Sequence, residues 1–230
     1  MSKTTKNVLG DQQGKIGKMV GRVTDGVQMY SALGRTRNPQ TKKQQAHRAR
    51  FAAITHLGQE LAWPVNVGFR QTAAKTPLTS AWNVFVKKNF GCVSYDPVSG
   101  VASIDYEHVM IAEGRVLTVD FAAATFGEGR SVRVTFEANT DAEFGAFAED
   151  EVYVTVYCPE MHQEVCDKVL RSAEEATLTM PRRWTGKTVY VWGFVKTSVE
   201  EPTQVASFGL TLKPGDCSVS TYLGSGVIGS

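Results

Sequence analysis

The chain has 230 residues, with 25 Lys and Arg against 23 Asp and Glu, a formal net charge of +2 and 42% hydrophobic residues. That composition suits one large or two small domains, each with a buried core. It excludes a helical membrane protein, because no stretch approaches the ~18 apolar residues of a membrane span.

The near-neutral total hides an asymmetry. Residues 1–50 carry eleven basic residues and two acids, Asp11 and Asp25, whereas the other 180 carry 14 basic and 21 acidic residues. A basic part of this kind usually touches something acidic, such as nucleic acid or the acidic part of a neighbouring copy.

In chain order, residues 1–13 are polar and read as an arm. They lack the apolar region of a secretory signal, so synthesis in the cytoplasm without a signal peptide is expected. Next, apolar residues flank Asp25-Gly26 in GKIGKMVGRVTDGVQMYSAL, which predicts a tight hairpin. Asn38-Pro39 is expected to open a long helix, with Asn as N-cap and Pro in the first turn. Phe51, Ile54, Leu57 and Leu61 give that helix an apolar stripe. Pro64 is expected to stop it. Lys42, Lys43, Arg48 and Arg50 load its first turns with positive charge, against the preference of the helix dipole, which points to a binding role. Residues 65–78 are polar and ambiguous. A further helix is predicted at 79–90, capped by Thr79 or Ser80, with Trp82, Phe85, Val86 and Phe90 on one face.

From about residue 100 the period changes to two. Strands are predicted at 101–105, 107–112, 115–122, 131–138, 151–158, 174–180, 187–196 and 204–212. Many short strands separated by turn signals indicate an antiparallel sandwich of the immunoglobulin or fibronectin type III kind. The Gly/Ser-rich end, YLGSGVIGS, is expected to be a flexible tail. The organisation read from the sequence is therefore an arm over 1–13, a basic hairpin-helical region over 14–98, a sandwich over 99–213 and a tail over 214–230.

Catalytic signatures are missing. There is no nucleophile elbow, phosphate-binding loop, zinc-protease helix or dinucleotide fingerprint. Cys158, His162 and Cys166 form one local cluster but lack a fourth zinc ligand, so strand-end cysteines around a polar turn are the expectation. In the absence of an export signal the four cysteines are expected to be free thiols. Glu149, Asp150 and Glu151 read as a solvated acidic loop, and Glu174-Glu175 likewise. Trp184 is expected to pack a strand turn. No enzyme activity, metal or cofactor is expected.

Several segments carry a resemblance: GKIGKMVG; RTRNPQTKKQQAHRARF; the helix with Trp82, Phe85, Val86 and Lys87; DEVYVTVYCPE; and RSAEEATLTMPRRWTGKTVYVWGFV. Over nearly the whole chain they resemble a family of uncharacterised proteins from Bacteroidota and their phages, known as a domain of unknown function. The family pattern ends in YGFV, where this chain has Trp192 before Gly193. The resemblance implies, by association, a virion or appendage component.

The sequence thus predicts an α+β protein: an N-terminal β-hairpin with two or three helices, then the antiparallel sandwich. The expected function is that of a structural subunit of a phage virion or other assembly. Its contacts, to copies of itself or to other assembly proteins, would be made through Lys15, Lys18, Arg22, Arg35, Arg37, Lys42, Lys43, Arg48 and Arg50. The alternative is nonspecific phosphate binding to nucleic acid through the same residues. A third reading is a surface adhesin, with Trp184 or Tyr222 lining a glycan groove. No membrane partner or small-molecule substrate is expected.

Overall fold

The computed structural model describes residues 2–4, 13–34, 41–75 and 77–229. It divides into two compact units, Met1–Gln44 and Gln45–Ser230. The expected helix cap at Asn38-Pro39 lies outside the described residues.

The first unit holds a four-stranded antiparallel sheet in the order β1-β4-β3-β2, from Ser2–Thr4 (β1), Gly14–Ile16 (β2), Met19–Thr24 (β3) and Val27–Ala32 (β4). The expected hairpin is β3–β4. Asp25 and Gly26, with φ of 51° and 74°, connect the paired residues Thr24 and Val27. Positive φ at both central positions is what a two-residue hairpin turn needs. The expected polar arm is in part a strand, since Ser2–Thr4 pairs with Gln28–Tyr30. In this unit Gly21 and Gln28 are the only buried positions among the described residues, whereas Ile16, Met19 and Leu33 are exposed.

The second unit begins within the long helix α1 (Lys42–Glu60) and continues through α2 (Ala62–Gly68), α3 (Arg70–Ala74) and α4 (Ala81–Asn89). Along α1 the buried stripe is Ile54, Leu57, Gly58 and, just beyond it, Leu61. Phe51, expected in that stripe, is instead exposed. The helical period carries the inner face from Ile54 back to Arg50 and His47, four and seven residues earlier, and Phe51 lies about 60° from Ile54, at the edge of the buried stripe. Pro64 does not end the helical run. It is buried within the first turn of α2, where an absent N–H costs nothing. The ambiguous segment 65–78 contains most of α2 and all of α3. Ser80 caps α4 as expected, its Oγ accepting from the backbone N–H of Asn83 at 3.2 Å.

A short hairpin of β5 (Val93–Tyr95) and β6 (Ala102–Ile104) follows. Then come β7 (Asp120–Phe121), β8 (Thr125–Phe126), β9 (Ser131–Glu137), β10 (Glu151–Cys158), β11 (Gln163–Leu170), β12 (Glu175–Thr179) and β13 (Thr188–Lys196). The hairpin β14 (Thr203–Val205) and β15 (Leu210–Leu212) precedes the last strand, β16 (Thr221–Val227). Two antiparallel sheets form a sandwich, one ordered β11-β10-β13-β16 and the other β12-β9-β7, with β8 also on β9. Of the expected strands, 107–112 forms no strand and 115–122 contributes only β7. The expected tail is ordered from Thr221 to Val227 as the edge of the central sheet, and Leu223 and Ile228 are buried.

The central sheet is covered on both faces. Val154, Val156, Val189 and Val191 pack with Val132, Val134, Ala176 and Leu178 of the facing sheet. On the opposite face Tyr153, Tyr157, Trp192 and Phe194 pack with Ile54, Leu57, Leu61, Phe69 and Phe85 of the helices. Strand alternation produces both sets: valines take one face of β10 and tyrosines the other. By contrast β9 has one solvated face, with Val132, Val134 and Phe136 inward and the residues between them exposed. The second unit is therefore three layers, helices on sheet on sheet. Gly193, which follows the Trp192 where the sequence departs from its resemblance, lies against the Phe121 ring; a Cβ there would sit 2.5 Å from Cζ.

Candidate functional site

The nine basic residues singled out in the sequence fall into four groups. Lys15 on β2, Lys18 in the β2–β3 turn and Arg22 on β3 are exposed on the first unit's sheet. Arg35 and Arg37 lie outside the described residues. Lys42, Lys43 and Arg48 are exposed on the first turns of α1, which has no acid in its first turn. Arg50 differs from them. Its Nε donates to the carbonyl of Val93 at 2.6 Å and Nη2 to that of Phe90 at 2.9 Å. Its guanidinium also lies 4.5 Å from the centre of the Phe90 ring. These bonds satisfy carbonyls at the end of α4 and the start of β5, so Arg50 joins two elements of the fold.

The acidic run 149–151 is not a solvated loop. Asp150 and Arg171 are both fully buried, with Arg171 Nε 3.3 Å from Asp150 Oδ2. The Nε–H does not point along a hydrogen bond, so the contact is ionic. Arg171 donates to the carbonyls of Ala138 (3.0 Å) and Leu117 (2.5 Å). Asp150 accepts from the Phe147 N–H (3.0 Å) and from the Ser198 N–H (2.9 Å) and Oγ (3.1 Å). Burial pushes the Arg171 pKa down, and Asp150 opposes that push. One charge pair thus ties four separate loops together. Glu151, one residue on, meets Lys168, Lys196 and the Tyr153 hydroxyl. Partial burial works against its ionisation, yet those donors hold its pKa down at about 2. Glu175, read both as a loop acid and as part of the strand expected at 174–180, lies in β12 and pairs with Arg133.

A second polar group joins α1 to the β10–β11 hairpin. Glu60 accepts from the Tyr157 hydroxyl and lies 2.8 Å from His162 Nδ1. Burial, then the Glu60 contact, pushes the Tyr157 pKa far up. Glu164, paired with Tyr157 across the hairpin, has one buried carboxylate oxygen without a partner. Burial raises its pKa to about 7, against a backbone hydrogen bond from Trp63 that lowers it. The cysteines near His162 diverge. Cys158 is buried between the two sheets, and Cys166 packs toward the helices with the Thr155 hydroxyl at 3.1 Å. Among the described residues no group of three or more His, Cys, Asp or Glu is arranged to hold a metal ion. Trp184 is fully buried in the sandwich core and so presents no exposed ring to a glycan, whereas Tyr222 is half-buried against Trp192.

The model of a family of unknown function, DUF6266, matches residues 11–208. The chain belongs to this family. Neither the curated proteins nor the solved structures contain a match. In this DUF6266 chain the matched span runs from the first unit's sheet to the edge of the β14–β15 hairpin, and β16 lies beyond it. The buried Asp150–Arg171 pair and the Glu60–Tyr157–His162 group were not legible as sites. The first joins residues 21 apart and the second residues about 100 apart, and no local pattern marks either. Among the described residues of this DUF6266 chain, no helix is long and apolar enough to cross a membrane.

Proposed function

We propose that the protein is a non-enzymatic structural subunit of a repeating assembly, in which the basic N-terminal unit binds an acidic surface of a neighbouring copy. One observation carries this reading. The four-stranded sheet of residues 1–44 has no apolar core among its described residues and contributes nothing to the three hydrophobic clusters of the molecule. A small sheet of that kind is marginal alone and needs an external surface to cover it. Exposed Ile16, Met19 and Leu33 supply apolar contact, and Lys15, Lys18 and Arg22 supply charge opposite in sign to the acidic remainder of the chain. A virion or appendage is the setting that the family resemblance suggests.

Light scattering across salt concentrations tests it. Assemblies should form at low salt and loosen as salt screens the contact beyond about 10 Å. A strict monomer at high protein concentration and low salt overturns the proposal.

A second reading, phosphate binding to nucleic acid, is favoured by Lys42, Lys43 and Arg48, exposed on helix turns that carry no acid. Changing those three to Gln should reduce the salt slope of DNA binding by up to about three. No DNA binding by the natural chain at about 50 mM salt ends this reading.

A further inference from the structure

A cleft of about 880 Å³ opens in the second unit between the α2–α3 run, the start of α4 and the Pro214–Gly215 turn. One of its walls is a single helical face. Trp63, Asn66, Val67, Arg70, Gln71 and Ala74 recur at three- and four-residue steps and all line it. Backbone bonds from Phe69 to Val65 and from Ala73 to Phe69 carry the helical repeat across the α2–α3 junction. Val65, Gly68 and Phe69 face the other way, into the core, and the buried Ala73 lies at the border between the two faces. Val67 packs partly against the core, whereas Trp63, Asn66, Arg70 and Ala74 are exposed and are not needed to hold the helices down.

Two features make it more than a solvated helix face. The first is Trp63, 46% exposed, whereas Trp184 and Trp192 are fully buried. Its ring is held 5.4 Å from that of Tyr153. The Tyr153 hydroxyl donates to Glu151 at 2.8 Å, and Glu151 pairs with Lys196, which lines the same cleft. The exposed aromatic face is thus positioned by a connected set of side chains before any ligand arrives. The second feature is charge. The second unit holds 16 basic and 21 acidic residues overall, yet the cleft is lined by Arg70 and Lys196 and by no acid. Arg70 is exposed and makes no ion pair among the described residues. An adjoining cleft, which shares Gln71 and Ala74, adds Lys75, Arg115 and Lys213 against the single acid Asp216. Gln71 Nε2 donates to the Pro214 carbonyl at 2.6 Å and so fixes the rim between the two clefts.

We propose that this cleft binds an acidic carbohydrate: a sugar ring stacked on Trp63, with its carboxylate or phosphate on the guanidinium of Arg70. A planar guanidinium suits either anion in bidentate geometry. The volume lies in the range of small-ligand sites and holds one or two rings. Asn66, Gln71 and Ser80 add amide and hydroxyl groups to the lining; the Asn66 and Gln71 amides donate to the carbonyls of Ala62 and Pro214, which leaves their oxygens to accept from ring hydroxyls. Single-stranded nucleic acid fits less well, because tracking a strand calls for successive aromatic platforms and the cleft offers only Trp63.

Calorimetric titration of the full chain tests the site with four probes: digalacturonate, glucose 6-phosphate, the neutral disaccharide cellobiose and a thymidine hexanucleotide. One of the two acidic sugars should bind with a dissociation constant of about 1 mM or below, and cellobiose at least about tenfold more weakly. Arg70→Gln should weaken the acidic sugar at least about tenfold and leave cellobiose unchanged, while Trp63→Ala should weaken both. Both side chains are exposed, and unchanged thermal unfolding of each variant shows that the fold survives. Digalacturonate binding alone identifies a uronate site, and glucose 6-phosphate binding alone a sugar-phosphate site. The proposal is overturned if neither acidic sugar binds, if Arg70→Gln leaves acidic-sugar affinity unchanged, or if the hexanucleotide binds more tightly than both sugars.

Discussion

Replacing Arg171 with Met should destabilise the second unit by about 3–5 kcal/mol, the range for breaking a buried ion pair from one side. The structure explains why the cost is high. Without the guanidinium, Asp150 remains fully buried with only neutral donors, the Phe147 N–H and the Ser198 N–H and Oγ. The carbonyls of Ala138 and Leu117 lose their donors as well, and each unsatisfied buried group costs about 1–3 kcal/mol. Asp150→Asn should cost less, because the amide oxygen still accepts from the Ser198 N–H and Oγ, which share one carboxylate oxygen, while the Phe147 N–H loses its acceptor and Arg171 its counter-charge. In the double variant Asp150→Asn, Arg171→Met the summed loss should fall short of the two single losses by about 1–3 kcal/mol, since no charge is left stranded. Urea unfolding followed by tryptophan fluorescence reads all three. Arg133→Met, which breaks the exposed pair with Glu175, is the control and should cost about 1 kcal/mol or less. If Arg171→Met costs no more than that control, the pair is not an element of stability and the argument from burial fails.

Two further predictions concern packing and protonation. Glu164 has its pKa raised by burial from 4.5 to about 7, so in the folded state it holds a proton that the unfolded chain has already lost. Stability should therefore fall as pH rises from about 4.5 to about 7 and stay reduced above that. Glu164→Gln should then stabilise the protein by about 1–2 kcal/mol at pH 8, after allowing for partial solvent screening, and by almost nothing at pH 4; an equal effect at both pH values would contradict this assignment. Gly193→Ala should cost about 1–3 kcal/mol by driving a methyl into the Phe121 ring, and pairing it with Phe121→Ala should recover part of that loss in a thermal-melt cycle.

Parts of the fold were legible because local and tertiary signals agree. VYVTVYC alternates valine and tyrosine, and the structure uses both faces, one against the second sheet and one against the helices. Ser80, one of the two expected caps, and the expected face residues Phe85 and Val86, both buried, mark the helix α4. The strand β16 was hidden by its glycines, which depress strand propensity. Gly226 is nonetheless required there, because a Cβ would lie 2.4 Å from the Phe126 ring, and that ring arrives from about 100 residues away. Likewise β11 carries charged residues on its outer side, as edge strands do, and its alternation is blurred. At the candidate sites, net charge found the exposed lysines but gave no means of separating Arg50, whose partners are backbone carbonyls some 40 residues on. The cleft face was present in the sequence as the 63–74 periodicity. Pro64 and Gly68 masked it, because each ordinarily ends a helix, whereas here Pro64 occupies a first turn.

The last strand also fixes where the chain tolerates cutting. A protein ended after Phe208, at the limit of the family match, would lack β15 and β16. The whole inner length of β13 would then present unpaired N–H and C=O groups beside an uncovered apolar surface vacated by Leu223 and Ile228. Such an edge recruits strands from other molecules. Shortened versions of this protein should therefore form sheet-linked aggregates that salt does not dissolve, and in a sizing experiment these could be mistaken for native assembly.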